Sequence, residues 1–250
     1  MPADRADRRA FLKKAGLVGA GVAGATWVAP SVLALDRAFA VGSCCAQNSL
    51  NLLATPFGNG VNTAVGSFTA LGTTLTFTRN GTDTITNTTC TGGGSWTTGV
   101  ITNCEQGGNS TGQIAMCAVG TDKTPIVIKM SFSTPVRNLT FVLTDIDASN
   151  LSSVEYQEQV SIAWTNTTGT SIPVYTPGSN IVNVSPNVYK ANSATYNAPQ
   201  TDTTNNLGVD FGCGGKVSSV TVTSSNLNGT AGTSNNQGRY IGISQIKYCI

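Results

Sequence analysis

Four of the nine acidic side chains between residues 41 and 250 fall within fourteen positions: Asp145, Asp147, Glu155 and Glu158. On either side, apolar and other residues alternate. Leu139, Phe141 and Leu143 are interleaved with Thr140, Val142 and Thr144; Val160, Ile162 and Trp164 with Ser161, Ala163 and Thr165. Successive side chains of a strand point to opposite faces. Parity therefore puts Asp145 on the inward side at the end of the first run and Glu158 on the inward side at the start of the second. If the two runs pair as a hairpin, Asp145, Asp147 and Glu158 converge at one rim. Three convergent carboxylates repel and require a cation or protons. Calcium takes about six to eight oxygen ligands, and backbone carbonyls of 148–157 could complete a structural calcium site. Two carboxylates can also run glycoside hydrolysis, which needs a cleft with aromatic platforms. The plain alternative is a solvated acidic loop of caps and turns.

Other chemistries are excluded by composition. The 250 residues contain no histidine, so neither a Ser-His-Asp nor a Cys-His nucleophilic site can be built. Residues 1–40 hold six basic and three acidic side chains, which leaves eight and nine for the remainder. That nearly neutral body, rich in Thr, Ser and Asn, lacks the basic patch that nucleic-acid binding needs. It also lacks a run of about twenty apolar residues, so no transmembrane segment is expected in the mature chain.

The N-terminal segment reads as an export signal. Arg8 and Arg9, one spacer, then Phe11, Leu12 and Lys13 are followed by a Gly/Ala-rich apolar stretch, Ala15 to Ala29. Ala38-Phe39-Ala40 then offers a small-x-small cleavage site at Ala38 and Ala40. The arrangement resembles the twin-arginine export motif. That resemblance implies a protein folded before export and then secreted or held at the cell surface. Val41-Gly42-Ser43-Cys44 is an acceptable lipobox, but Asp36 and Arg37 separate it from the apolar stretch. Lipid anchoring at Cys44 is therefore the lesser expectation.

All seven cysteines lie after this segment, and an oxidising destination makes disulfides the default. The pairs expected are Cys90 with Cys104, closing a Gly-rich loop, Cys117 with Cys213, and Cys249 with the Cys44-Cys45 pair, in the first instance Cys45. No C-x-x-C occurs, so a metal cluster is disfavoured.

Period-two alternation recurs at Ile126–Phe132, around Val220 and Val222, and around Ile241 and Ile243, with turn clusters such as Pro177-Gly178-Ser179 between the runs. About ten to twelve short strands at this spacing predict an all-β protein, an antiparallel β-sandwich of jelly-roll or Greek-key type, preceded by an N-terminal signal helix. Residues 1–40 are the signal peptide and 41–250 a single domain with a Thr/Gly-rich excursion at about 79–112.

The stretch Phe132-Ser-Thr-Pro-Val-Arg-Asn-Leu-Thr-Phe-Val-Leu-Thr-Asp-Ile-Asp147 resembles a motif of bacterial secreted and surface β-sandwich modules. In these, a strand ending Asp-Ile-Asp is followed about ten residues later by an acidic residue two before a valine. Glu158-Gln159-Val160 is similar to that second half, with Glu for the usual Asp. The resemblance implies a domain of surface proteins, often of unassigned activity; it does not imply an enzyme. Three functions compete: a non-catalytic, adhesion-like extracellular module, a calcium-dependent carbohydrate-binding module, and an extracellular glycoside hydrolase using the acidic residues. The partner expected is an extracellular glycan or a cell-envelope component. Trp96, in a Gly/Ser-flanked loop, can stack on a sugar or plug a satellite core; Tyr175 and Tyr189 are the other platform candidates, whereas Trp164 belongs to the core.

Overall fold

Ile126, Ile128, Met130 and Phe132 are buried, and the residues between them are at least partly exposed. The same holds for Leu139, Phe141 and Leu143 against Thr140 and Val142. Both runs belong to one strand, β7 (Ile126–Thr144), of 19 residues. In this computed structural model the residues described are 45–50, 65–80, 86–89, 95–97, 113–119, 125–151, 154–192, 202–228 and 238–250. They belong to one compact unit, Ala40–Ile250. Arg8, Arg9, Phe11, Leu12, Lys13, Ala38 and Ala40 lie outside the described residues, as do Cys44, Cys90 and Cys104.

β7 serves two layers. Its first part pairs with β3 (Thr73–Asn80) on one side and β14 (Gly215–Asn226) on the other. Its last part pairs with β13 (Leu207–Asp210) and β15 (Gly238–Cys249). The change of partners falls at Ser133–Asn138. Pairing to β14 breaks register between Ser131 and Val136, around Pro135, which has no N–H to give a ladder. Asn138, at φ 50°, marks the far side of the break.

The first layer runs β2 (Val65–Ala70), β3, β7, β14, β9 (Val154–Gly169), β12 (Val188–Ala191), β11 (Ile181–Ser185). The second runs β10 (Val174–Pro177), β13, β7, β15, with β6 (Gln113–Val119) and β1 (Asn48–Ser49) also paired to β15. β8 (Ala148–Leu151) forms a hairpin with β9, and β4 (Thr86–Thr89) with β5 (Ser95–Thr97) forms a separate ribbon within the Thr/Gly-rich excursion. Every pairing is antiparallel. The fold is the antiparallel β-sandwich that the alternation predicts.

The inward faces meet through aromatic side chains. Phe211, after β13, lies 6.3 Å from Phe141 of β7 and 5.7 Å, edge-on, from Trp164 of β9. Phe132 meets Tyr248 edge-on at 5.5 Å. Trp164, expected in the core, is partly buried and packs against it; its indole N–H donates to the Ser171 carbonyl at 2.8 Å, so its polar atom is satisfied. The Tyr248 hydroxyl donates to the Ala70 carbonyl at 2.9 Å, and burial pushes its pKa up to about 12.

Cys45 and Cys249 form a disulfide with Cα atoms 5.9 Å apart, as expected. Cys213 is also disulfide-bonded, but the register rules out Cys117 as its partner. The Cys213 carbonyl accepts from the Arg137 guanidinium at 3.5 Å, and Arg137 stands opposite Cys249. Cys117 stands opposite Tyr240, nine residues away along β15. Nine strand residues span roughly 30 Å, and disulfide Cα atoms lie within about 7 Å. The expected Cys117–Cys213 pairing is thus corrected. Cys45 is occupied by Cys249, and Cys44 directly precedes it in sequence. Non-reducing peptide mapping is therefore expected to recover the Cys213 peptide joined to the one carrying Cys44 and Cys45. A Cys213 peptide joined to Cys117 would contradict the register.

Candidate functional site

The acidic residues meet where β7 ends. Asp145 leaves the strand at φ 64°, in the left-handed region that Asp tolerates better than most side chains. The Ile146 N–H then donates to the Asn205 carbonyl at 3.1 Å. Asp147 and Glu158 are bonded reciprocally: the Asp147 N–H donates to Glu158 Oε2 at 3.2 Å, and the Glu158 N–H donates to the Asp147 carbonyl at 3.0 Å. They extend the β8–β9 ladder by one step beyond Ala148 and Gln157.

This is a different route from the one parity suggested. The runs containing Leu139–Leu143 and Val160–Trp164 do not pair, because β14 lies between β7 and β9. The hairpin is β8–β9, so 148–151 and 154–157 pair as a ladder where a ligand-bearing loop was expected. The end of β14 closes the corner. Asn226 stands opposite Glu158, its Oδ1 accepts the Gln157 N–H at 3.1 Å, and the Leu227 N–H donates to the Gln157 carbonyl at 2.8 Å. The segment bearing Asn205 is fixed by Asn180, whose Nδ2 donates to Thr204 Oγ1 at 3.0 Å and Asn205 Oδ1 at 2.9 Å. Gly178 lets that segment approach: a Cβ there would lie 2.2 Å from the Thr204 carbonyl oxygen.

The corner is sealed. Asp145 and Asp147 are each 2% exposed, Glu158 is 1% and Tyr156 is 8%, which overturns the solvated-loop reading. Burial, and then the Asp147 charge, push the Asp145 carboxyl well above the usual carboxylate range. Burial pushes Asp147 from 3.8 up to about 7, an effect partly offset by the Tyr156 hydroxyl and by its own backbone N–H. Tyr156 is itself pushed well above the ordinary phenol range, first by burial and then by the charges of Asp147 and Glu158. Asp145 Oδ1 is buried without a hydrogen-bond partner, as is Asn205 Nδ2. Among the described residues no group of three or more His, Cys, Asp or Glu side chains is arranged to hold a metal ion.

No family model and no curated protein matches the chain. Among solved structures it is similar to the family 11 carbohydrate-binding module from Clostridium thermocellum, in complex with a β-1,3-1,4-mixed-linked tetrasaccharide. The identity is 11%, 83% of this chain and 97% of that chain are covered, and the TM-score is 0.30. Likeness at this distance says nothing of what this chain binds.

Of the platform candidates, Tyr175 and Tyr189 pack against each other. Tyr189 is 7% exposed and cannot present a face to a ligand, so that expectation is corrected. Tyr175 is half-buried, with its ring 4.9 Å from that of Tyr189 and its hydroxyl donating to Asn187 Oδ1 at 2.9 Å. Trp96 pairs with Thr88 in the β4–β5 ribbon, and its side chain lies outside the described residues.

Two contributors to the corner went unread in the sequence. Tyr156 carried a signal: it lies two residues before Glu158 and so shares its face. Asn205 carried none, since its role is a backbone carbonyl delivered from a distant Thr/Asn-rich turn.

Proposed function

We propose that this chain is an exported, non-catalytic β-sandwich module with an interaction role outside the cytosol. One observation carries the non-catalytic part: every carboxylate that sequence parity offers for hydrolysis is sealed at 1–2% exposure. A general acid or nucleophile must touch its substrate, and these groups touch only the protein. The Cys45–Cys249 disulfide supports an oxidising destination, because such bonds are rare in reducing compartments. Among the described residues no helix is long and apolar enough to cross a membrane.

A polysaccharide is the partner class to try first, because the half-buried Tyr175 keeps part of an aromatic ring in solvent over Tyr189. Purified protein on a glycan array, followed by incubation with each bound polysaccharide, tests the reading. Retention without turnover is expected, unchanged in Glu158→Gln. Release of reducing ends by the native protein, lost in Glu158→Gln, would establish a hydrolase instead.

A further inference from the structure

Cys45 is held at the end of β15. It is bonded to Cys249 with Cα atoms 5.9 Å apart, and its carbonyl accepts from Asn138 Nδ2 at 3.4 Å. Cys213 is held at the same stretch of β7. The Phe211 N–H, two residues before it, donates to the Leu139 carbonyl at 2.9 Å, and the Cys213 carbonyl accepts from the Arg137 guanidinium at 3.5 Å. Arg137 in turn stands opposite Cys249. Three consecutive residues, Arg137, Asn138 and Leu139, therefore bind both cysteine-bearing segments. We propose that Cys213 pairs with Cys44, and that the lipobox-like Val41-Gly42-Ser43-Cys44 is for that reason not a lipid-attachment site.

Reach favours this pairing. Cys213 is disulfide-bonded, Cys45 is taken by Cys249, and Cys117 lies too far along β15. Cys44 precedes Cys45 directly, which puts its Cα about 3.8 Å from that of Cys45. That keeps it beside the stretch of β7 that also holds Cys213, and a disulfide needs Cα atoms within about 7 Å.

The two fates of Cys44 compete for one sulfur. Lipidation alkylates Sγ: a thioether forms to a diacylglyceryl carbon, and the thiol proton leaves with the lipid headgroup. In the disulfide, the Cys44 and Cys213 thiols give up their protons and an electron pair, and the disulfide of a thiol–disulfide oxidoreductase outside the cytosol is reduced to a dithiol. A sulfur in one bond is not available for the other.

The fold also leaves no tether for a lipid. An acylated Cys44 would begin the mature chain, and the next residue is already bonded to Cys249. The Gln47 amide then donates to the Asn138 carbonyl and to Thr140 Oγ1, Asn48 and Ser49 pair with β15, and the Leu50 N–H donates to the Ile246 carbonyl. With no spacer between acyl chains and sheet, an anchor there would press the second layer against the lipid headgroups. The exported chain is instead released, which goes beyond the export reading on which it rests.

Thiol counts on exported protein, made from the full chain with its leader, check this. Alkylation under denaturing, non-reducing conditions is expected to find one more free thiol in Cys44→Ser than in the native protein, because Cys213 loses its partner. An unchanged count would mean a lipidated Cys44, and one thiol fewer a free Cys44; either overturns the proposal. Two measurements need no variant. Electron-transfer fragmentation of the linked peptides should place Cys213 on Cys44 and Cys249 on Cys45, and detergent phase separation should leave the protein in the aqueous phase. Cys213 joined to any other cysteine, or a diacylglyceryl mass on the Cys44 peptide, would refute the pairing while Cys45–Cys249 and export still stand. Reduced Cys45 and Cys249 in the exported protein would sink it together with the oxidising destination.

Discussion

Cys45→Ser combined with Cys249→Ser is expected to lower stability by about 4 to 5 kcal/mol, the largest effect of any change outside the core. The bond closes a loop with a sequence separation of 204, and in the chain-entropy account the loss grows with the logarithm of loop length. Apart from the second bridge expected at Cys44 and the Gln47 amide, which donates to the Asn138 carbonyl and to Thr140 Oγ1, few bonds hold the early segment to the sheet. β1 contributes two residue pairs to β15, the Leu50 N–H donates to the Ile246 carbonyl at 2.9 Å, and Asn138 Nδ2 donates to the Cys45 carbonyl at 3.4 Å. Calorimetry should show a fall in melting temperature of about 10 to 20 °C for a domain of this size. A fall below about 3 °C would mean that the denatured chain is already compact enough for the link to constrain nothing.

Phe211→Ala is expected to destabilise by about 3 to 5 kcal/mol. The ring is 2% exposed and touches Phe141 in one layer and Trp164 in the other. Its removal leaves a cavity between the layers that neither sheet can close, because the Phe211 N–H is held by the Leu139 carbonyl at 2.9 Å. Phe211→Leu should recover more than half of the loss, since most of the volume returns. Urea unfolding at unchanged slope would measure both. A loss under about 1 kcal/mol for the alanine variant would show that the layers repack around the gap.

Much of the sandwich was legible because period-two alternation is a direct record of burial. Ile126–Phe132, Val160–Trp164, Val220–Val222 and Ile241–Ile243 all became strands with the anticipated face inward. Continuity was not legible. Pro135 and Arg137 interrupt the alternation, so β7 read as two strands when it is one that changes layers. Strand neighbours were not legible either, since parity says which way Asp145 and Glu158 point and nothing about the β14 strand between them. The trio still met, because the β8–β9 hairpin returns the chain to Asp147. The cysteines divide in the same way. Cys249 and Cys45 lie on directly paired ends of the sheet, whereas Cys117 and Cys213 are separated by register, which spacing does not encode.

The double duty of β7 also dictates when the protein can become itself. Its partners β3 and β15 lie far apart in the chain, one before it and one well after it. The second layer cannot be finished on the ribosome until the residues of β15 have emerged. Assembly must then bring together segments distant in sequence, the situation in which two-state folding is slowest. Until then the nascent chain carries unpaired strand edges, a long interval in which a chaperone has something to hold.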